Sequence, residues 1–414
     1  MRAAPFSSIS LFTGAGGLDI GLEQAGFRTI TAVDSEPDCI RSVRENQHAG
    51  PYFNQTAVLL SEVERIEPAE LRPDPAPPGW VPDLLTGGPP CQPFSSSGKM
   101  LSVGDPRGRL FEHFVRLAAG LKPKLILFEN VRGIVTARGP KGDPGEVLHL
   151  VKSEFERIGY ATNFTLLNAA DYGCPQRRVR CFMVATRCTG LPEFPEPTHS
   201  ERPGGGLFAV EKPWVTLGEF LATRPAPSPE EIVRPTPNLQ CQLRDIAPGS
   251  GLKSAGAREA TRPGGHWGYR QGTFIADSAC PARTVTGSAS QDWIRLQDGS
   301  LRRLTLQECA GLQGFPTGWR FVGSQASRFK QVGNAVPTIF GRVIGRALIA
   351  ALRGGESPKP ASAPLPEVMR SAIRYTQREE ARNGESRTAV RKKLQAPSMD
   401  IRVVKGLGSA ELPS

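Results

Sequence analysis

At 414 residues with 39% hydrophobic content, the chain is long enough to bury a large core and to form more than one domain. It has no apolar run of the roughly 18 to 20 residues that span a bilayer, no secretory leader pattern and no CxxC pair among its eight cysteines. Those absences argue against membrane, disulfide-framework and zinc-ribbon classes, and lead to the expectation of a cytoplasmic protein with reduced thiols. A formal net charge of +11 suits a polyanionic partner, because cationic surfaces gain affinity by releasing counterions from phosphates.

Ser7 to Phe12 reads as a short buried strand running into Thr13-Gly14-Ala15-Gly16-Gly17 and then an amphipathic segment, Leu18 to Phe27. A glycine turn between strand and helix lets a ligand approach the backbone and the helix amino terminus, although a plain tight connection fits the same residues. The spacing is GxGG, not the GxGxxG that supports a dinucleotide pyrophosphate. A second strand, Thr29 to Val33, ends at Asp34, an acid where a ribose diol would lie, and Glu36 to Asn46 reads as the next helix. Gly50 to Pro82 is less regular and ends in a proline-rich surface loop.

The strand-like Asp83-Leu84-Leu85 leads into Gly87 to Lys99, GGPPCQPFSSSGK. Pro89, Pro90 and Pro93 each fix φ and remove a backbone donor, so this stretch is a loop held in one shape. Open α/β sheets place their chemistry on such loops at the carboxyl ends of strands, which makes Cys91 a candidate nucleophile instead of an inert buried thiol. Lys99 to Arg109 is either a segment that closes over substrate or an ordinary exposed loop. Leu110 to Leu121 has helical periodicity, and Lys124 to Phe128 is an apolar run of the buried parallel-strand type that delivers Glu129-Asn130-Val131. A carboxylate at that strand end, beside a buried pocket, is a candidate for being held protonated.

Gly145 to Ile158 reads as a helix and Thr162 to Asn168 as a strand. Gln176-Arg177-Arg178-Val179-Arg180 opens a further apolar strand, Cys181 to Thr186, and alternation puts Gln176, Arg178 and Arg180 on one face. Such a cluster is either solvated or bonded to an acceptor-rich substrate. Between Cys188 and Ala282 proline and glycine become dense and helical periodicity fades, as in a small domain of strands and loops. Within it, Gly264 to Thr273 mixes flexible backbone, two aromatics and donors, which suits base-edge readout or a ligand-free hairpin equally. A helix is expected within Thr305 to Gln313, and Phe329 to Pro337 caps a last apolar helix through Leu352. From Arg353 the sequence is charged, net basic and weakly periodic, as in a flexible tail, with Glu367 to Leu394 a candidate surface helix.

Taken in order, these motifs resemble those of the DNA (cytosine-5)-methyltransferase family, over Ser10 to about Ala350. FTGAGG at Phe12 to Gly17 is similar to the family's S-adenosylmethionine turn, GGPPCQPFS at Gly87 to Ser95 to its nucleophile loop and ENV at Glu129 to Val131 to its base-gripping acid. QRRVR at Gln176 to Arg180, LQGFP at Leu312 to Pro316 and GNAVP at Gly333 to Pro337 complete the set. The resemblance implies an α/β fold, a Rossmann-like S-adenosylmethionine-dependent methyltransferase sheet with a smaller, strand- and loop-rich target recognition domain. The implied organisation is a catalytic and cofactor-binding domain at 1–187, target recognition at 188–302, a return to the catalytic domain at 303–352 and a basic tail at 353–414.

The resemblance further implies methyl transfer from S-adenosylmethionine to C5 of a flipped-out cytosine in a specific DNA sequence, through a covalent bond between Cys91 and C6. Glu129 would hold N3 and Arg180 the O2 carbonyl, with Arg178 supporting the pocket and no metal taking part. Phe12 would pack on the adenine, Gly14, Gly16, Gly17 and Pro89 would line the cofactor, Asp34 would take the ribose hydroxyls and Asn334 would complete the site. The implied partner is double-stranded DNA, met by a monomer away from membranes, in the cytoplasm or on a bacterial nucleoid; a cognate restriction endonuclease is compatible with this. Ser35 and the stretch Gln55 to Val63 depart from the family's adenine-side pattern. A tRNA cytosine-5 methyltransferase of the same superfamily and a non-catalytic DNA-binding module are the alternatives. The long recognition segment argues against the first, and the presence of Cys91, Glu129 and Arg180 against the second.

Overall fold

The structure, a computed structural model, describes residues 5–90, 110–139, 141–187, 190–203, 211–252, 261–262, 266–267, 273–354 and 361–378. Its centre is a seven-stranded sheet of β1 (Phe6–Leu11), β2 (Phe27–Asp34), β3 (Ala57–Leu60), β4 (Leu84–Gly87), β5 (Leu125–Val131), β6 (Ala161–Asn168) and β7 (Val179–Thr186). The spatial order is β3-β2-β1-β4-β5-β7-β6. β1 to β5 run parallel, whereas β7 is antiparallel to both β5 and β6. Parallel strands must be covered on both faces, which is why the central ones are continuous apolar runs: Leu84 and Leu85 of β4 and Leu125 to Leu127 of β5 are fully buried.

The covering helices are α1 (Gly17–Ala25), α2 (Pro37–Gln47), α3 (Leu110–Leu121) and α4 (Glu146–Arg157), followed by α5 (Leu217–Ala222), α6 (Pro237–Leu243), α7 (Leu306–Leu312), α8 (Gln325–Asn334) and α9 (Thr338–Arg353). α3 buries Phe114, Val115, Leu117, Ala118 and Leu121, the i, i+3, i+4, i+7 stripe of a core-facing helix. Its Phe111 and Phe114 meet Phe128 of β5 and Phe155 of α4 edge to face, with ring centroids 5.7 to 5.9 Å apart.

α9 closes the fold against α1. A Cβ on Gly21 would lie 2.0 Å from the Thr338 carbonyl oxygen, and one on Gly341 would lie 2.2 Å from that of Leu18. Only glycines let these backbones approach so closely, so the amino-terminal and carboxyl-terminal ends of the catalytic region are locked face to face. The stretch Gln325–Arg353 is apolar enough to cross a membrane by composition. It is in fact two helices interrupted at 335–337, where Pro337 supplies no N–H, and Phe340, Ile344 and Leu348 of α9 are core residues.

Four short strands, Ser250–Gly251, Phe274–Ile275, Trp293–Arg295 and Leu301–Arg303, make a second sheet around Leu243, Ile275, Trp293 and Leu301. In the expected hairpin, His266–Trp267 pairs antiparallel with Thr261–Arg262; the rest of Gly264 to Gly272 lies outside the described residues. Leu217 and Phe220 of α5 share a hydrophobic cluster with Ala310 and Phe315, so part of the stretch after Cys188 packs on the late helices. Described residues up to Ile373 fall in one compact unit, Met1–Ile373; of the second, Arg374–Ser414, residues 374–378 are described and helical. Where the sequence suggests a flexible tail from Arg353 on, Leu365 and Met369 are instead buried in the main core. Ala363 N donates to Thr162 O of the edge strand β6 at 2.8 Å.

Candidate active site

The carboxyl ends of β1, β2, β4 and β5 converge, as an open parallel sheet requires, and the candidate residues follow those strands. Cys91 and the rest of Cys91 to Arg109, including the expected closing segment, lie outside the described residues. The loop's entrance is described. Pro89 is buried, and its carbonyl accepts a 3.1 Å hydrogen bond from Asn130 Nδ2, so the second residue of ENV pins the start of the cysteine loop to β5.

Glu129 is 8% exposed. A Cβ on Gly88 would lie 2.6 Å from Glu129 Oε2, so glycine is what allows the carboxylate to rest on this loop, three positions before Cys91 in the chain. Its other oxygen meets Arg180 Nε at 3.1 Å. β5 and β7 bring the two together, since Val131 is in register with Arg180. Burial raises the Glu129 pKa; the charges of Arg180 and Arg178 pull it back only in part.

Of Gln176, Arg178 and Arg180, expected on one strand face, only Arg180 lies within β7, which begins at Val179; the other two precede the strand and are committed to the protein itself. Arg178 is 1% exposed. Its guanidinium donates to Val285 O at 2.9 Å, Gly333 O at 2.7 Å and Ala335 O at 3.0 Å. Gln176 accepts from Val285 N at 2.8 Å and donates to Gln313 Oε1 at 3.0 Å, while Gln313 donates to Val332 O at 2.7 Å. The physical reason lies in GNAVP: α8 ends at Asn334, and the carbonyls of its last turn lose their helical partners. Buried side-chain donors replace them. Arg178 is therefore a brace, not a group free to meet substrate, and Gln313 is a member of the network that motif reading passed over.

On the other side of β1, Phe12 and Gly14 both have left-handed backbones, with φ of 56° and 55°. For phenylalanine that conformation costs on the order of 1–2 kcal/mol and must be held by its surroundings. Thr13 N donates to Val33 O at 3.0 Å, and Gly14 N donates to Asp34 Oδ2 at 2.8 Å. The Asp34 carboxylate, expected at a ribose, thus fastens the turn, and its Oδ1 accepts from Glu36 N at 2.8 Å. Burial raises the Asp34 pKa, and these N–H donors oppose the rise. Glu36, not singled out from the motif, is the exposed carboxylate at the same strand end, paired with Lys330 Nζ of α8 at 2.8 Å.

The three turn glycines differ in purpose. A Cβ on Gly16 would lie 2.7 Å from the Phe53 ring and one on Gly17 2.4 Å from Val336 O, so these two admit packing partners. Only at Gly14 would a Cβ meet no atom within 4 Å, which leaves open space at the ends of β1 and β2. Asn334 is exposed at the end of α8, one residue before the Ala335-Val336 pair that packs on Gly17. An open backbone turn flanked by two carboxylates fits a nucleoside-bearing cofactor. Among the described residues no group of three or more His, Cys, Asp or Glu could hold a metal ion.

Comparison with known proteins decides between the methyl-transferring and non-catalytic binding readings. The family described as C-5 cytosine-specific DNA methylase matches residues 6–350. The chain belongs to the C-5 cytosine-specific DNA methylase family. As a member it transfers a methyl group to C5 of cytosine in DNA, in a family that uses S-adenosylmethionine. It is 31% identical over 359 residues to the Type II methyltransferase M.NgoMIV of Neisseria gonorrhoeae, covering 84% of this chain and 98% of that one. It is 30% identical over 347 residues to the Type II methyltransferase M1.HphI of Haemophilus parahaemolyticus, covering 82% and 86%. The methylase fold recurs in the Entamoeba histolytica methyltransferase EhMeth, with a TM-score of 0.60 at 15% identity, over 84% of this chain and 99% of that one. The S. pombe methyltransferase Dnmt2 aligns with a TM-score of 0.55 at 14% identity, over 84% and 97%.

Proposed function

We propose that this methylase acts on duplex DNA at a specific short sequence, and that Cys91, Glu129 and Arg180 act on a cytosine turned out of the helix. The buried Glu129–Arg180 pair lying against Gly88 carries this reading. C5 of cytosine is not nucleophilic until C6 is saturated. The Cys91 thiolate therefore bonds to C6, and the electron pair of the C5–C6 double bond moves onto C5 and into the ring. Glu129, whose pKa burial raises, donates a proton to N3, and Arg180 meets the charge that grows at O2. S-Adenosylmethionine, when bound, supplies the methyl group as an electrophile on a positively charged sulfur. After C5 is methylated, its proton passes to solvent water, the C5–H electron pair re-forms the C5–C6 double bond, the C6–S bond breaks with Cys91 departing as thiolate, and the N3 proton returns to Glu129.

Phe12, Gly14, Glu36, Pro89 and Asn334 would hold the cofactor: Phe12 beside the adenine, Glu36 at the ribose hydroxyls, Gly14 at the amino-acid end. Asp34, Gly16 and Gly17 shape that turn, and Arg178 braces the pocket from behind. The enzyme works as a monomer in the cytoplasm, paired with a restriction endonuclease as a Type II modification enzyme.

The test incubates purified protein with tritiated S-adenosylmethionine and, separately, unmethylated plasmid DNA and unmodified tRNA, with bisulfite sequencing of the labelled polymer. Label at C5 within one recurrent DNA sequence is expected, and Cys91→Ser should keep DNA binding while losing transfer by orders of magnitude. Undiminished label with Cys91→Ser would remove that thiol from the mechanism, and label in tRNA alone would reassign the polymer.

A further inference from the structure

Asp19, in the first turn of α1, lies in none of the roles above, yet it is a carboxylate only 1% exposed beside the glycine turn. Its Oδ2 accepts a 2.5 Å hydrogen bond from Thr13 Oγ1, and the Ser10 hydroxyl also acts on the carboxylate. No ion pair to Asp19 is present among the described residues. A buried carboxylate in that state is a poor way to stabilise a fold, because an apolar residue of similar size avoids its desolvation. Burial raises its pKa, against the pull of the Thr13 and Ser10 hydroxyls.

What the carboxylate does hold is Thr13, the residue between left-handed Phe12 and left-handed Gly14. Thr13 is held through its N–H by Val33 O, through its carbonyl by Gly16 N and through its hydroxyl by Asp19, while Gly14 is gripped by Asp34. We propose that Asp19 is a positioning residue for cofactor binding, which acts through the Thr13 hydroxyl to hold the Phe12-Thr13-Gly14 turn in its receiving shape. The proposal rests on the reading of this turn as the S-adenosylmethionine site. A buried hydrogen bond closed before the ligand arrives suits a turn that must stay put.

The variants are Asp19→Leu, Thr13→Val, their double and Thr13→Ser, each read by calorimetric titration with S-adenosylhomocysteine, by KM for S-adenosylmethionine and for DNA, and by thermal unfolding. Asp19→Leu and Thr13→Val should each weaken S-adenosylhomocysteine binding about tenfold, the equivalent of one buried hydrogen bond. The double variant should be no worse than either alone, KM for DNA should be unchanged, and Thr13→Ser, which keeps the hydroxyl, should bind as wild type does. The double variant should melt no lower than wild type, because both polar partners leave together. That separation of binding from stability is what a merely structural Asp19 would not give. Unchanged binding in folded Thr13→Val or in the double variant would overturn the proposal while leaving the cofactor site intact. Failure of the wild-type protein to bind S-adenosylhomocysteine would overturn the site reading and the proposal together.

Discussion

At the scale of single residues, the site divides into groups that face the substrate and groups that bind the protein's own backbone. On the proposed mechanism Glu129 and Arg180 belong to the first, and the Glu129 carboxyl pKa is raised by burial. A raised folded-state pKa means that the folded protein holds this proton more tightly than the unfolded chain does. Its contribution to stability is fully present below the ordinary glutamate pKa and is lost as pH rises through the folded value. Glu129→Gln removes that loss, so the melting temperature of the variant relative to wild type should climb with pH while methyl transfer collapses. Calorimetric scans across the acid-to-neutral range check this; a difference that does not vary with pH would remove desolvation of Glu129 as its cause. Arg178 belongs to the second group. Arg178→Ala would take the side-chain donor from the Val285 and Gly333 carbonyls and leave Ala335 O with only the 3.2 Å bond from Gln313 Nε2, and should destabilise the protein by on the order of 3 kcal/mol, visible in denaturant titration. Lysine at that position keeps the charge but not the fork of donors, and should rescue only part of the loss.

Among the elements, the contact of α1 with α9 is the tightest joint on this side of the sheet. Gly21→Ala or Gly341→Ala drives a methyl group into backbone, where no side chain can swing aside, and should cost about 1–3 kcal/mol by overpacking. The corresponding fall in melting temperature should appear without a change in the KM for DNA. The segment 361–373 lies beyond the span matched by the family, yet it buries Met369 completely and sets Ile373 against Gly145. Met369→Ala should destabilise by about 2–5 kcal/mol if that packing is as complete as its burial. A surface helix would lose almost nothing, so urea unfolding of this one variant tells core from tail.

For the whole molecule, the governing quantity is the net charge of +11. Phosphate contacts make affinity fall steeply with salt, so binding to duplex DNA should weaken by on the order of a thousandfold or more between low and moderate salt if six or more phosphates are met. Binding of S-adenosylhomocysteine, which has no polyanion to release counterions from, should hardly respond. Fluorescence anisotropy and calorimetry over the same salt series measure the two side by side.

The order of elements was legible in the chain: Leu110 to Leu121 was bounded correctly as a helix, and the apolar runs around Leu84 and Leu125 were recognisable as buried parallel strands. Local physics suffices for these, because periodicity and proline or glycine punctuation act within a few residues. The candidate site was legible as motifs, since FTGAGG, PPC, ENV, QRRVR and GNAVP each stand in one short stretch. What each motif residue does was not legible. Arg178 and Arg180 are two positions apart in the chain, and only the fold sends Arg180 to Glu129 and Arg178 to the carbonyls at the end of α8. Gly14, Gly16 and Gly17 look alike in sequence, but Phe53 and Val336 arrive from elsewhere to fill the space beside two of them. The chain by itself determined the sheet, the chemistry available and the family. Tertiary structure alone decided which polar groups are spent on satisfying buried backbone and which are left to meet a ligand, because that depends on contacts between residues far apart in the chain.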